Sequence, residues 1–201
     1  MPHTFANTMF SGPARELQKR HGSRVQYERM AHYGAGEQEL GPAEVEFIAA
    51  RDSFYMATVT PDGWPYIQHR GGPKGFLRVI DKQTLAFADY SGNKQYITAG
   101  NLTANDRFAL FLMDYPNRTR LKLIGRARVI EPGVEPGLEA RLGLTQNGPR
   151  VERIFLLTVV GFDWNCSQHI NPRYSAEELP DYFPDMFEQA DSARSGEPEE
   201  V

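Results

Sequence analysis

The 201-residue sequence predicts a mainly β fold with flanking helices, arranged as an antiparallel, Greek-key-like barrel. Three observations predict it. First, about six or seven segments rich in β-branched and aromatic residues fall between Ser53 and Phe162, many joined by hairpin turns, which disfavours an alternating strand–helix sheet. Second, Arg120–Val129 carries the period-two alternation of a strand. Third, helix-tolerant polar stretches lie mainly outside that region. At roughly 150 residues per domain, one domain with extensions is expected. The boundaries are an N-terminal helical arm (1–40), a barrel domain (41–174) and a C-terminal helix with an acidic tail (175–201).

Pro13–Tyr33 reads as a polar helical arm with sparse apolar contacts at Leu17, Val25 and Met30. Gly34 and Gly36 break it. Pro42 suits the first turn of a helix whose apolar side is Val45, Phe47, Ile48 and Ala49. Phe54–Thr60 and Trp64–Arg70 form a hairpin about Pro61-Asp62-Gly63, where Pro presets φ and Gly tolerates positive φ. Gly75–Ile80 and Thr84–Tyr90 form a second hairpin. Asn93–Leu102 is a short helical segment. Phe108–Met113 is continuously apolar, so its strand is expected to be buried on both faces. In Arg120–Val129, Leu121, Leu123, Ala127 and Val129 share one face, and Arg120, Lys122, Arg126 and Arg128 the other. Ile124 is the misfit, and Gly125 beside it suits a bulge or a close backbone approach. Pro132–Pro149 is a loop-and-helix connection and Arg153–Phe162 the last strand. Ser175 and Glu178 have capping-box spacing, so a helix is expected there; beyond Ala190 an acidic tail follows.

Composition narrows the function classes. Hydrophobic residues make up 40% of the chain, enough for a core, so a wholly disordered protein is excluded. No apolar run approaches the roughly 18 residues of a spanning helix, and Met1–Phe10 lacks the pattern of a secretory signal. The single cysteine, Cys166, cannot form an internal disulfide or a Cys-rich zinc site. A cytoplasmic protein without membrane contact is expected. The net charge of −4 hides an asymmetry: residues 70–128 hold eleven Lys/Arg against four Asp/Glu, and residues 129–201 five against fourteen. A positive middle in an acidic chain points to a surface that handles an anion. A nucleic-acid partner is disfavoured, because the chain has no overall basic excess.

Three clusters could carry chemistry. Gln68-His69-Arg70, followed by Gly71-Gly72-Pro73-Lys74, sets polar and basic side chains at a strand end beside permissive backbone, which suits a phosphate; an ordinary charged hairpin has the same composition. Ser91-Gly92-Asn93-Lys94-Gln95-Tyr96 lies between a strand and a helix, where free N–H groups and Lys94 favour an anion; simple N-capping by Ser91 or Asn93 reads equally well. The stretch from Phe162 to Tyr174 ends the last strand with Trp164, able to cover a planar ring, and Arg173, able to supply charge; a loop closing the barrel is equally physical. No dinucleotide or Walker glycine pattern occurs, and the five histidines lack metal-ligand spacing, so no metal is expected. Cys166 with His169 is a weak nucleophile–base candidate, and no catalytic acid or base is assigned.

Several segments together resemble the pyridoxamine 5′-phosphate oxidase-like flavoproteins, which have an FMN-binding split β-barrel. They are R-D-S-F-Y-M-A-T-V from Arg51, W-P-Y from Trp64, H-R-G-G-P-K-G-F-L-R-V from His69, S-G-N-K-Q-Y from Ser91, N-D-R-F-A-L-F-L-M-D-Y from Asn105 and R-L-K-L-I-G-R-A-R-V from Arg120. The W-N-C-S-Q-H-I-N-P-R-Y ending from Trp164 is similar to an uncharacterised subgroup. The resemblance implies a homodimer with FMN in clefts between subunits. It implies that Gln68, His69, Arg70, Asn93 and Lys94 hold the phosphate and ribityl side, that Arg120 faces the flavin, and that Trp164 and Arg173 reach the cofactor. Lys74 would add phosphate charge and Gln95 a hydrogen bond. Two departures stand out. Gly92-Asn93-Lys94 replaces the oxidase's Ser-Arg-Lys, and the Ile170-Asn171-Pro172 neighbourhood replaces its Arg-x-His substrate motif. The groups that would grip pyridoxal phosphate are missing, so the expectation is an FMN-dependent oxidoreductase acting on another small molecule, with NAD(P)H a candidate donor. A protein that stores or senses flavin, or binds haem or a deazaflavin, is the alternative.

Overall fold

A computed structural model describes residues 4–33, 38–145, 148–164 and 168–186. Seven antiparallel strands form one curled sheet in the order β2-β1-β5-β6-β7-β4-β3. These are β1 (Ser53–Val59), β2 (Pro65–Gly71), β3 (Arg78–Asp81), β4 (Thr84–Tyr90), β5 (Arg107–Asp114), β6 (Thr119–Ile130) and β7 (Val151–Trp164). Helices α1 (Phe5–Met9), α2 (Gly12–Arg20), α3 (Arg24–Tyr33), α4 (Pro42–Ala49), α5 (Ile97–Ala104), α6 (Pro136–Arg141) and α7 (Leu179–Tyr182) flank it. The sheet is not closed by backbone pairing, as a split barrel requires: β2 and β3 are its two edges. The gap is bridged by side chains. Phe54 on β1 meets Phe87 on β4 edge-to-face at 5.3 Å, and Phe87 stacks on Phe155 of β7 at 4.9 Å. The enclosed core also includes Met56, Leu77, Leu85, Leu110, Leu112, Leu121, Leu123 and Leu157.

The β6 alternation appears as read, with Leu121, Leu123 and Ala127 buried and Arg126 and Arg128 exposed. The β6–β7 register shifts between Ile124 and Gly125. A Cβ at Gly125 would run into the Thr158 carbonyl oxygen and the Phe108 ring, so the bulge and the close approach both occur there. At Gly63 φ is +88°, as its tight turn demands. The expected capping box forms: Ser175 N–H donates to Glu178 Oε2, and Glu178 N–H to Ser175 Oγ. It closes a turn rather than opening a helix at Ser175: α7 starts only at Leu179, with Glu178 as N-cap and no side-chain capping bond, and is short.

Three local expectations are corrected. The arm is not one helix: α2 and α3 are separated at His21-Gly22, where Gly22 has φ +76°, and α1 precedes them. The Thr4 side chain caps α1, and α1 docks on β7 through Gln38. That side-chain oxygen accepts from both Phe5 N–H and Phe162 N–H, while its amide donates to Phe162 O. β5 is not buried on both faces. Phe108, Leu110 and Leu112 point into the core, but Ala109, Phe111 and Met113 are half-buried on the outer face, where among the described residues no second sheet packs. Finally, α5 begins at Ile97 rather than Asn93, and neither Ser91 nor Asn93 caps it. Cys166, Gly34, Gly36 and the acidic tail beyond Ala190 lie outside the described residues.

Candidate functional site

β2 alternates so that Tyr66, Gln68 and Arg70 face the gap in the barrel and Ile67 and His69 face outward. On the far side of the gap, β4 ends at Tyr90 and leads into the loop before α5. Two residues of this loop take the left-handed backbone region without being glycine: Lys94 at φ +58° and Tyr96 at φ +54°. Such residues carry local strain and often mark functional sites. The Asn93 side-chain oxygen accepts from Gln95 N–H and fixes the turn. Thr98 of α5 donates through its hydroxyl to Gln68 Oε1 at 2.8 Å, and Asn101 donates to Thr58 Oγ1 at 3.0 Å. These bonds pin α5 against β1 and β2. The result is a cavity of about 210 Å³ at the seam, lined among others by Gln68, Arg70, Asn93, Lys94, Gln95 and Arg153.

A chain of ion pairs forms its floor. Asp89 on β4 accepts from Arg70 Nη1 and from Arg153 Nη1, each at 2.7 Å. Arg153 Nη2 donates to Glu152 at 2.8 Å, and its guanidinium lies 4.6 Å from the Tyr96 ring centroid. Arg70 sits 5.3 Å from the Phe155 ring centroid. Burial pulls its guanidinium below the ordinary arginine range, and Asp89 opposes that shift. Arg70 Nε is buried with no hydrogen-bond acceptor, an orphan donor beside a cavity.

Of the ten site residues read from sequence, Gln68, Arg70, Asn93, Lys94 and Gln95 therefore meet at one cavity. The others do not line it. His69 is exposed on the opposite face of β2, edge-on to Tyr55 at 5.6 Å. Lys74 is exposed in the turn between β2 and β3. Arg120 lies along the outer face of β6, 5.8 Å from the Phe111 ring, and its Nε is also buried without a partner. Trp164 packs on Phe47 at 4.9 Å and donates its indole N–H to Glu44 at 2.7 Å. Arg173 stacks over Tyr115 at 5.1 Å. The charged lining residues that escaped the sequence reading are Asp89, Glu152 and Arg153. Arg153 had a usable signal, a charge near the start of a strand otherwise rich in apolar residues. Among the described residues, no group of three or more His, Cys, Asp or Glu could hold a metal ion, and no helix is long and apolar enough to cross a membrane.

Comparison with known proteins agrees with this architecture. No curated protein matches the chain. Among solved structures, HupZ of Group A Streptococcus has 17% identity over 67% of this chain and 100% of its own, with a TM-score of 0.51. A putative pyridoxamine 5′-phosphate oxidase from Lactobacillus delbrueckii has 23% identity over 61% of this chain and 91% of its own, with a TM-score of 0.47. At these identities such likeness speaks to fold alone. The family model for pyridoxamine 5′-phosphate oxidase matches residues 40–155, more than half the chain and nearly all of the barrel. With the split barrel and the match over β1 to β6 and the start of β7, this chain belongs to the pyridoxamine 5′-phosphate oxidase family.

Proposed function

We propose that the protein is an FMN-binding flavoprotein that passes hydride or electrons between its flavin and a small molecule. The observation that carries this reading is the convergence of Arg70, Lys94 and Arg153 on one cavity, with the Arg70 Nε left without an acceptor. That set fits a phosphate monoester: two guanidinium forks, one ammonium, and amides at Asn93, Gln95 and Gln68 for the ribityl hydroxyls. FMN would supply the redox chemistry when bound. The chain's own residues would hold it, orient it and set its electrostatic surroundings.

The cavity is smaller than the roughly 300 Å³ at which ligand pockets begin, so it would take the phosphate end and leave the ring system to be walled elsewhere. A second copy of the chain supplies that wall in our reading. The outer sheet face presents Tyr55, Ala57, Ile67, Ala109, Phe111 and Ile124, an apolar surface of the kind that marks an interaction site. A homodimer covering this face would bring Arg120, Trp164 and Arg173 of one protomer to the cavity of its partner.

The test is reconstitution of the purified protein with FMN. Stoichiometric flavin absorbance after gel filtration, together with a dimer in sedimentation velocity, is the expected result. Failure to retain FMN would overturn the reading. Anaerobic bleaching of the flavin by NAD(P)H is expected of an oxidoreductase, and bound FMN that exchanges no electrons with any donor would point to storage.

A further inference from the structure

The phosphate cavity carries its own anion. Asp89 stands opposite Arg153 in the β4–β7 register, so its position is fixed by the backbone rather than by a flexible rim. Its two oxygens each hold one guanidinium, Arg70 from the β2 edge and Arg153 from β7, both at 2.7 Å. All three side chains are 13–14% exposed, so little water screens them. Geometrically, the carboxylate does what two oxygens of a phosphate would do, bridging two arginines across the seam. The charged lining is Arg70, Lys94 and Arg153 against Asp89 and Glu152, a formal excess of one positive charge. This is a weak trap for a bare dianion.

We infer that Asp89 is a specificity-determining residue, an internal counter-anion that competes with an incoming phosphate for Arg70 and Arg153. The inference rests on the reading of this cavity as a phosphate site. Without a ligand, Asp89 gives each of two desolvated guanidiniums an ion-pair partner, which they need. When a ligand arrives, its phosphate must share or displace those bonds. Inorganic phosphate and sulfate have nothing further to offer and are held poorly. A phosphomonoester whose remaining part contacts Gln68, Asn93 and Gln95 is retained. Selection against free anions then comes from a repulsive element in the pocket, not from the cations alone.

The Asp89→Asn variant tests this. Asparagine keeps the size and one oxygen acceptor for Arg70 but raises the formal excess to two. Removing a unit charge a few ångströms from the ligand in a partly screened site should tighten inorganic phosphate about tenfold. The salt dependence of binding should also steepen. Calorimetric titration of inorganic phosphate and of FMN into wild type, Asp89→Asn and Glu152→Gln, at two ionic strengths, reads both effects. Glu152 bonds Arg153 alone and makes no bond to Arg70, so its variant frees one guanidinium rather than two and should tighten phosphate less. If wild type binds FMN but Asp89→Asn binds phosphate no better than wild type, Asp89 merely positions the arginines and the inference falls. If wild type binds no FMN, the phosphate site itself is refuted. A wild-type measurement stands independently of how well the variant folds. FMN must shift the Arg70 and Arg153 Nε–Hε resonances as the guanidiniums change partner, and unshifted signals at saturating FMN would overturn the competition.

Discussion

Lys94 and Arg70 both face the proposed phosphate, yet the structure gives them different second duties, and this separates ligand binding from folding. Lys94 is exposed in the loop before α5. Replacing it by Ala should remove one charge-assisted contact, worth about 1.5–3 kcal/mol. That raises the FMN Kd by roughly 10- to 150-fold. The stability of the FMN-free protein should move by less than about 0.5 kcal/mol, as for ordinary surface changes. Arg70 instead bridges the unclosed edge: its guanidinium meets Asp89 at 2.7 Å across the gap and packs over Phe155. Arg70→Ala should weaken FMN by a similar amount and, in addition, destabilise the FMN-free barrel by about 3 kcal/mol. The low end of the range for a broken buried pair applies, because Asp89 keeps Arg153 as a partner. Flavin-fluorescence titration gives the affinities and urea denaturation the stabilities. Lys94→Ala with unchanged FMN affinity would refute the phosphate assignment. Arg70→Ala with stability within 1 kcal/mol of wild type, an allowance of about the size of a neutral hydrogen bond, would refute the seam.

Other consequences follow from single contacts. Asp114→Ala strips the ion-pair partner from Arg51, whose guanidinium lies 2.8 Å away with both side chains at most 15% exposed, leaving it only the Phe47 and Met113 carbonyls, and also removes the acceptor for Asn117 N–H. A loss of about 3–5 kcal/mol is expected in urea denaturation. Gly125→Ala sets a methyl against the Thr158 carbonyl and the Phe108 ring, so the β6–β7 pairing must shift, at an expected cost of at least about 3 kcal/mol by the same assay. Burial, reinforced by a hydrogen bond with Tyr55, raises the Tyr115 phenol above its ordinary value against the pull of Arg173. The folded state therefore favours the protonated phenol. The stabilisation is complete below the ordinary tyrosine value and is lost as pH rises through the raised one. Ultraviolet titration should show one late-ionising tyrosine, absent in Tyr115→Phe.

What the sequence showed depended on whether the signal was periodic or stereochemical. The β6 alternation and the Gly125 bulge were legible because side-chain period and the missing Cβ write directly into residue type. The two left-handed residues at Lys94 and Tyr96 were not, since neither type favours positive φ and only the closing of the loop against α5 imposes it. The same loop explains why α5 starts four residues later than the sequence suggested. The half-buried outer face of β5 was hidden for another reason. A continuous apolar run reads the same whether one face of its strand is covered or both. Asp89 did not read as a site residue, and the charge of Arg153 at its strand start pointed to no partner, because both take their meaning from Arg70, which sits on a strand that is not their neighbour in the sheet.

The seam also predicts how ligand and stability should be coupled. A closed barrel holds its last strand by backbone hydrogen bonds, which have no capacity left for a ligand. Here β2 is tied to β4 and α5 by Arg70–Asp89 and Gln68–Thr98, side chains with unused donors such as the Arg70 Nε. A phosphate that takes up those donors adds a further tie across the gap. FMN at a hundred times its Kd should stabilise the native chain by about 2.7 kcal/mol, by mass action alone. The distribution of that effect is the sharper test. Hydrogen exchange in the native state should slow most in β2, β4 and the Gly92–Tyr96 loop, where opening the seam requires the ligand to leave, and least in β5 and β6, which lie away from the seam. Equal slowing across all seven strands would mean that the ligand stabilises the barrel without joining its edges, and the seam would no longer be the place where fold and function share residues.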